Sequence, residues 1–256
     1  MAKEYLKSKF DEFINSFKTL DRTLLYIVVY KLVFYIAIVI SYNKFASILQ
    51  EKSGPILAIA SSSISHSAEV LSSQAATLKG FLFSMLGYLI FFVIILYIIY
   101  TLMNLFIWST ITRTKLKKSS KNFIMKFFGL NLIWLIGWIV VIFLLLMSLR
   151  KETVPYWFAG VAFVYSHLTV LLYIAYFKRK KISRSLKSAF NTGFAKLHKF
   201  IIPYILAVVV FAIVNAVFTP IGTRLYTGVN TVFLIAFLFY AAWLRIYIYS
   251  FAKKLV

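Results

Sequence analysis

The sequence predicts an all-α integral membrane fold: six transmembrane helices arranged as three hairpins, with amphipathic helices lying at the cytoplasmic interface. Three observations predict it. Six stretches, near 24–41, 82–108, 127–148, 156–177, 201–220 and 229–250, are almost wholly apolar and come close to the about 20 residues that a helix needs to cross a bilayer. All seven carboxylates (Glu4, Asp11, Glu12, Asp21, Glu51, Glu69 and Glu152) fall outside these stretches. The basic residues, finally, concentrate in alternate connections.

Residues 1–23 precede the first stretch. Leu6, Phe10, Phe13, Phe17, Leu20 and Leu24 recur at steps of three and four, which is one face of a helix, and Lys and acidic residues fill the rest. Such a segment lies in the inner membrane interface and turns into the first span. Because the first apolar run begins near residue 24, behind this charged periodic segment, span one reads as an uncleaved signal-anchor.

The connection 42–81 is rich in serine, yet its second half reads as helix. Pro55 suits a first helical position. Ile56, Ala60, Ile64, Ala68, Leu71, Ala75, Leu78 and Leu82 then keep helical spacing into span two. The outer helix 55–80 is therefore either a cap on the bundle or a surface for a protein partner. The later outer turns are short and punctuated by Pro155 and Pro220.

Residues 113–126 form a weaker amphipathic segment, with Leu116, Phe123 and Phe127. Residues 178–200 form a stronger and more basic one, with Ile182, Leu186, Phe190, Phe194, Leu197 and Ile201 on one face. Pro203 places a bend where this segment enters span five. Phe13, Phe17, Leu20 and Leu24 match Phe123, Phe127, Leu130 and Trp134, and again Phe190, Phe194, Leu197 and Ile201. This common register suggests three parallel repeats, 1–108, 109–177 and 178–256, within one polytopic domain, 1–256. The aromatics Trp108, Tyr156, Trp157, Tyr226, Tyr247 and Tyr249 sit where an interfacial belt is expected.

Net charge is +22, and 21 of the 29 basic residues occupy the N-terminal segment, the connections after spans two and four, and the C-terminal end. Lys44, Lys52, Lys79, Arg150, Lys151 and Arg224 lie on the other side. The positive-inside rule places both termini in the cytoplasm of a multi-pass cell-membrane protein. Attraction to anionic inner-leaflet lipid accounts for the charge without nucleic acid as a partner.

Composition excludes several chemistries. The chain is 62% hydrophobic, and six spans leave no room for a soluble catalytic domain. It has no cysteine, and HExxH, GxSxG and P-loop motifs are absent. The three histidines, His66, His167 and His198, are isolated from one another in sequence. The expectation is a protein without enzymatic activity, cofactor or metal.

Ionisable residues inside a membrane are functional candidates by default. Here they are Lys31, His167 and Arg245, with Asn104 as a polar companion. Counted from the nearest flanking basic residue at about 1.5 Å per residue, each lies about 12–16 Å deep, in the cytoplasmic half. Two readings stand. In one, Lys31 and Arg245 snorkel to inner headgroups while His167 and Asn104 bond between helices. In the other, the four converge on a cationic pocket for an anionic lipid headgroup or solute.

The segment Ser188-Ala189-Phe190-Asn191-Thr192-Gly193-Phe194-Ala195-Lys196-Leu197, a basic amphipathic lead-in to a span, and the repeated hairpins carry a resemblance. The chain resembles a group of prokaryotic six-span proteins that look like the membrane domain attached to some bacterial glycerophosphodiester phosphodiesterases. The resemblance covers most of the chain, brings no catalytic motif, and implies an all-helical integral membrane fold. Function is expected in organising or sensing lipid, or as an accessory subunit. A permease or channel-like carrier for an anionic or amphipathic solute is the alternative.

Overall fold

The computed structural model of the chain describes residues 2–18, 22–61, 68–114, 121–148, 153–224 and 229–256. Eight α-helices occupy them: α1 (Ala2–Lys18), α2 (Arg22–Ser61), α3 (Ala68–Ile111), α4 (Lys121–Ser148), α5 (Val154–Arg179), α6 (Ile182–Ala195), α7 (Ile201–Arg224) and α8 (Val229–Ala252), with a 3₁₀ turn at Leu197–Phe200. No strand occurs among the described residues. Helices α2, α3, α4, α5, α7 and α8 are long and apolar enough to cross a membrane, as the hydropathy pattern predicts.

Helix boundaries differ from the sequence reading at three places. Pro55 lies inside α2, not at the start of a new helix. The proposed outer helix 55–80 is thus divided between α2 and α3, and residues 62–67, with His66 and most of the serine cluster, lie outside the described residues. At 40 and 44 residues, α2 and α3 are each about 60 Å long, roughly twice a hydrocarbon core. Of the segment 113–126, residues 113 and 114 follow the end of α3, 115–120 lie outside the described residues, and Phe123 already belongs to α4. The break before span five falls at Lys196–Phe200. Pro203 sits in the first turn of α7, where a missing N–H removes no helical bond.

The residues cluster into two compact units. One comprises Met1–Lys31 with Asn104–Val256, the other Leu32–Met103. Within the smaller unit, Phe34 meets Tyr100 and Phe45 stacks on Phe92 at 4.6 Å, so α2 and α3 run antiparallel. Within the larger unit, α5 is central. From His167 to Phe177 every residue except half-buried Val170 is buried. Antiparallel α4 reaches it through buried polar bonds: Tyr173 Oη donates to Asn131 Oδ1 at 2.5 Å, Trp134 Nε1 to Thr169 Oγ1 at 2.8 Å, and Tyr176 Oη to the Phe123 carbonyl at 2.7 Å. Tyr240 Oη ties α8 to the Ala207 carbonyl of α7 at 3.1 Å.

Two of the expected belt aromatics are core residues. Trp108 is buried against Tyr173 and Tyr249, and Tyr247 stacks on Trp243 at 5.3 Å. Tyr156 and Trp157 are exposed, as a belt requires, whereas Tyr226 lies outside the described residues.

Helix α6 packs by the face opposite to its phenylalanines. Ser185, Ser188, Ala189, Thr192 and Gly193 are buried, while Phe190 and Phe194 are exposed. Small residues let backbones approach, which is how helices associate where lipid competes for every apolar side chain. The approach is close enough that a Cβ at Gly193 would collide with the Leu168 side chain and lie 3.3 Å from Leu171. Of the bulky stripe that sequence spacing singles out, Phe190 and Phe194 are thus exposed, whereas Ile182 and Leu186 pack against the core.

Candidate functional site

The four polar residues predicted to share a layer divide into two groups. Asn104, near the end of α3, is buried, and its Oδ1 accepts a hydrogen bond from Arg245 Nη1 of α8 at 3.2 Å. Lys31 of α2 is half-buried and lies in the neighbourhood of Arg245. Helices α3 and α8 thus join an amide to a guanidinium, with the Lys31 side chain of α2 in the neighbourhood. Each basic residue comes from a mostly apolar stretch, and an extended side chain reaches its partner by running its methylenes along apolar neighbours. Chemically, the group combines like charges with an amide that turns its oxygen to the guanidinium.

His167 belongs elsewhere. Its Nδ1 accepts from the Tyr204 hydroxyl at 2.6 Å, and its Nε2–H faces the Gly193 carbonyl at 3.3 Å. This pattern suits the neutral imidazole carrying its proton on Nε2. Phe200 packs edge-on to the ring at 4.8 Å and Phe163 lies over it at 6.5 Å. The histidine joins α5, α6 and α7 with both ring nitrogens engaged, which is the work of a structural tie.

Three features escaped the sequence reading. The first is the Asn131–Tyr173 bond; Asn131, a lone amide in an apolar run, was its only available signal. The second is an apolar groove of about 480 Å³ lined by Phe17, Leu24, Val210, Ile235, Phe239 and Trp243, among others. It combines α1 with α2, α7 and α8, and no sequence pattern announces it because its walls come from distant segments. The third is a basic cavity of about 460 Å³ beside α6. Among the described residues no cluster of His, Asp or Glu has the makings of a metal site. No family model, curated protein or solved structure matches this chain.

Proposed function

We propose that this chain is a non-enzymatic multi-pass protein of the cell membrane that binds anionic lipid of the cytoplasmic leaflet, organising that leaflet or serving a larger assembly as an accessory subunit. The observation that carries this reading is the Arg245–Asn104 contact beside Lys31. It holds a guanidinium in the body of an apolar helix, next to a second cation, in a chain whose apolar stretches contain no carboxylate. A phosphate or carboxylate headgroup drawn into that layer would offset both charges.

In this reading both termini are cytoplasmic and the spans pair as three hairpins, α2 with α3, α4 with α5 and α7 with α8. Helices α1 and α6 lie along the inner interface. The exposure of α6 supports this: Phe190 and Phe194 face outward on one side, and Arg184, Lys187 and Asn191 on another. An interfacial helix needs both an apolar and a basic free face. The resemblance to phosphodiesterase-attached membrane domains fits a role close to lipid headgroups.

The test is the lipid that co-purifies. Lys31→Gln and Arg245→Gln should each lower bound anionic lipid in native mass spectrometry while expression stays at the parent's level. If neither variant changes bound lipid or thermal stability, the two cations merely reach the inner headgroups and the proposal fails. Orientation is tested separately, by labelling single-cysteine variants at Ser63 and Ser119, both outside the described residues. Reagent outside the cell should reach position 63 and not 119.

A further inference from the structure

Eight basic residues lie between Lys178 and Lys199, and topology alone would explain such a run. The fold sorts them. Arg179, Arg184, Lys187 and Lys196 line one cavity of about 460 Å³, together with Ser188, Asn191 and Thr192. Lys178, Lys180, Lys181 and Lys199 do not line it.

The cavity is built rather than merely charged. Arg179 Nη2 donates to the main-chain oxygen of Val256 at 3.3 Å, and Lys196 Nζ to that of Leu255 at 2.8 Å. These bonds fix two cations at the wall where α5 and α6 meet the segment after α8. Arg184 and Lys187 stand on α6 with their side chains exposed. Ser188 and Thr192 are 7% and 5% exposed and still line the cavity. Among the described residues, none of the four cations pairs with a side-chain carboxylate, and no acidic residue lines the cavity. Two guanidinium forks and two ammonium groups, beside the side chains of Ser188, Asn191 and Thr192, are a donor set for a tetrahedral oxyanion. Guanidinium offers paired N–H groups to two oxygens, and ammonium adds charge.

We propose that this cavity is a phosphoryl-binding site, taking a terminal phosphate either on a lipid headgroup or free in solution. Its chemistry is independent of the Lys31–Asn104–Arg245 group. It borrows from the reading above only the leaflet it faces, and binding measured in detergent does not depend on that.

The experiment uses the full chain purified in detergent, titrated with short-chain phosphatidic acid, short-chain phosphatidylglycerol and inorganic phosphate. The pair Arg184→Gln with Lys187→Gln should weaken binding of phosphatidic acid about tenfold or more, the usual scale for losing charge-assisted hydrogen bonds. The pair Lys178→Gln with Lys199→Gln removes the same charge outside the cavity and should leave affinity within about twofold of the parent, well below that scale. Lys178, Arg184 and Lys187 are exposed and Lys199 is half-buried, and both proteins should melt like the parent. Phosphatidic acid should bind more tightly than the diester phosphatidylglycerol. Competition by inorganic phosphate would identify free phosphate as sufficient, and binding of the lipid alone would identify the headgroup source. Equal losses in the two double variants would mean diffuse surface charge and overturn the site, as would a parent that binds neither phosphatidic acid nor phosphate. In the Lys31→Gln background the Arg184→Gln/Lys187→Gln pair should cause the same fold-loss as in the parent, so either site can fail without the other.

Discussion

The indole N–H of Trp243 in α8 donates to Ser16 Oγ in α1 at 3.0 Å, joining residues 227 positions apart. Phe17 stacks on the same indole at 4.9 Å, Phe13 meets it edge-on at 5.9 Å, and Lys254 pairs with Glu12 at 2.7 Å. Helix α1 is therefore held by one indole and its surroundings as well as by any interface it lies in. Trp243→Phe keeps a ring and loses the donor, at a cost of about 1 kcal/mol. Trp243→Ala also empties the aromatic seat, at about 3–5 kcal/mol. Amide exchange over residues 8–17 should rise slightly in the first variant and strongly in the second. Unchanged exchange in both would mean that the interface alone holds α1.

Gly193 sets the distance between α6 and α5. Gly193→Ala places a methyl group against Leu168 and should destabilise the purified protein by about 1–3 kcal/mol, as overpacking does. Leu168→Ala should lessen the penalty when the two are combined, because the neighbours share one space. Thermal melting in detergent reads both effects. Simple additivity would place the strain elsewhere.

His167 is expected to act as a tie. His167→Leu leaves the Tyr204 hydroxyl and the Gly193 carbonyl without this partner and should lower stability by about 1–3 kcal/mol. His167→Gln keeps donor and acceptor capacity and should lose less. Neither change should alter bound anionic lipid in native mass spectrometry. A loss of lipid with stability intact would move His167 into the lipid site.

Asn104 Oδ1 holds Arg245 Nη1 by a hydrogen bond of 3.2 Å. Asn104→Leu removes the acceptor and releases the guanidinium to run toward the headgroups. Bound anionic lipid should fall as it does for Arg245→Gln, although both cations remain. If Asn104→Leu keeps the parent's lipid content, charge alone recruits the lipid and the geometry of the group is irrelevant.

The candidate site was legible in part. Lys31, Asn104 and Arg245 stood out as polar residues in apolar runs, and the fold brings them together. His167 stood out in the same way at a similar depth, yet depth along a span does not say which neighbour a side chain faces. Its partners, Tyr204 and the Gly193 carbonyl, carry no mark in the sequence. The phosphoryl cavity was hidden for a related reason. A run of basic residues has one appearance whether it lines a cavity or coats a surface.

By itself the sequence determined the six apolar spans and the asymmetry of charge about them. Both follow from the cost of placing unpaired backbone and charge in hydrocarbon, a cost that acts locally along the chain. Only the tertiary structure decided which faces meet. In water an apolar stripe points to the core, so spacing predicts packing. In lipid the solvent is as apolar as leucine, and the stripe loses that meaning. Phe190 and Phe194 therefore face outward while Ser185, Ala189 and Gly193 make the contact, and Trp108 sits in the core where a belt residue was expected. Close approach of small residues and polar bonds between helices chose these partners, and both are properties of two segments at once.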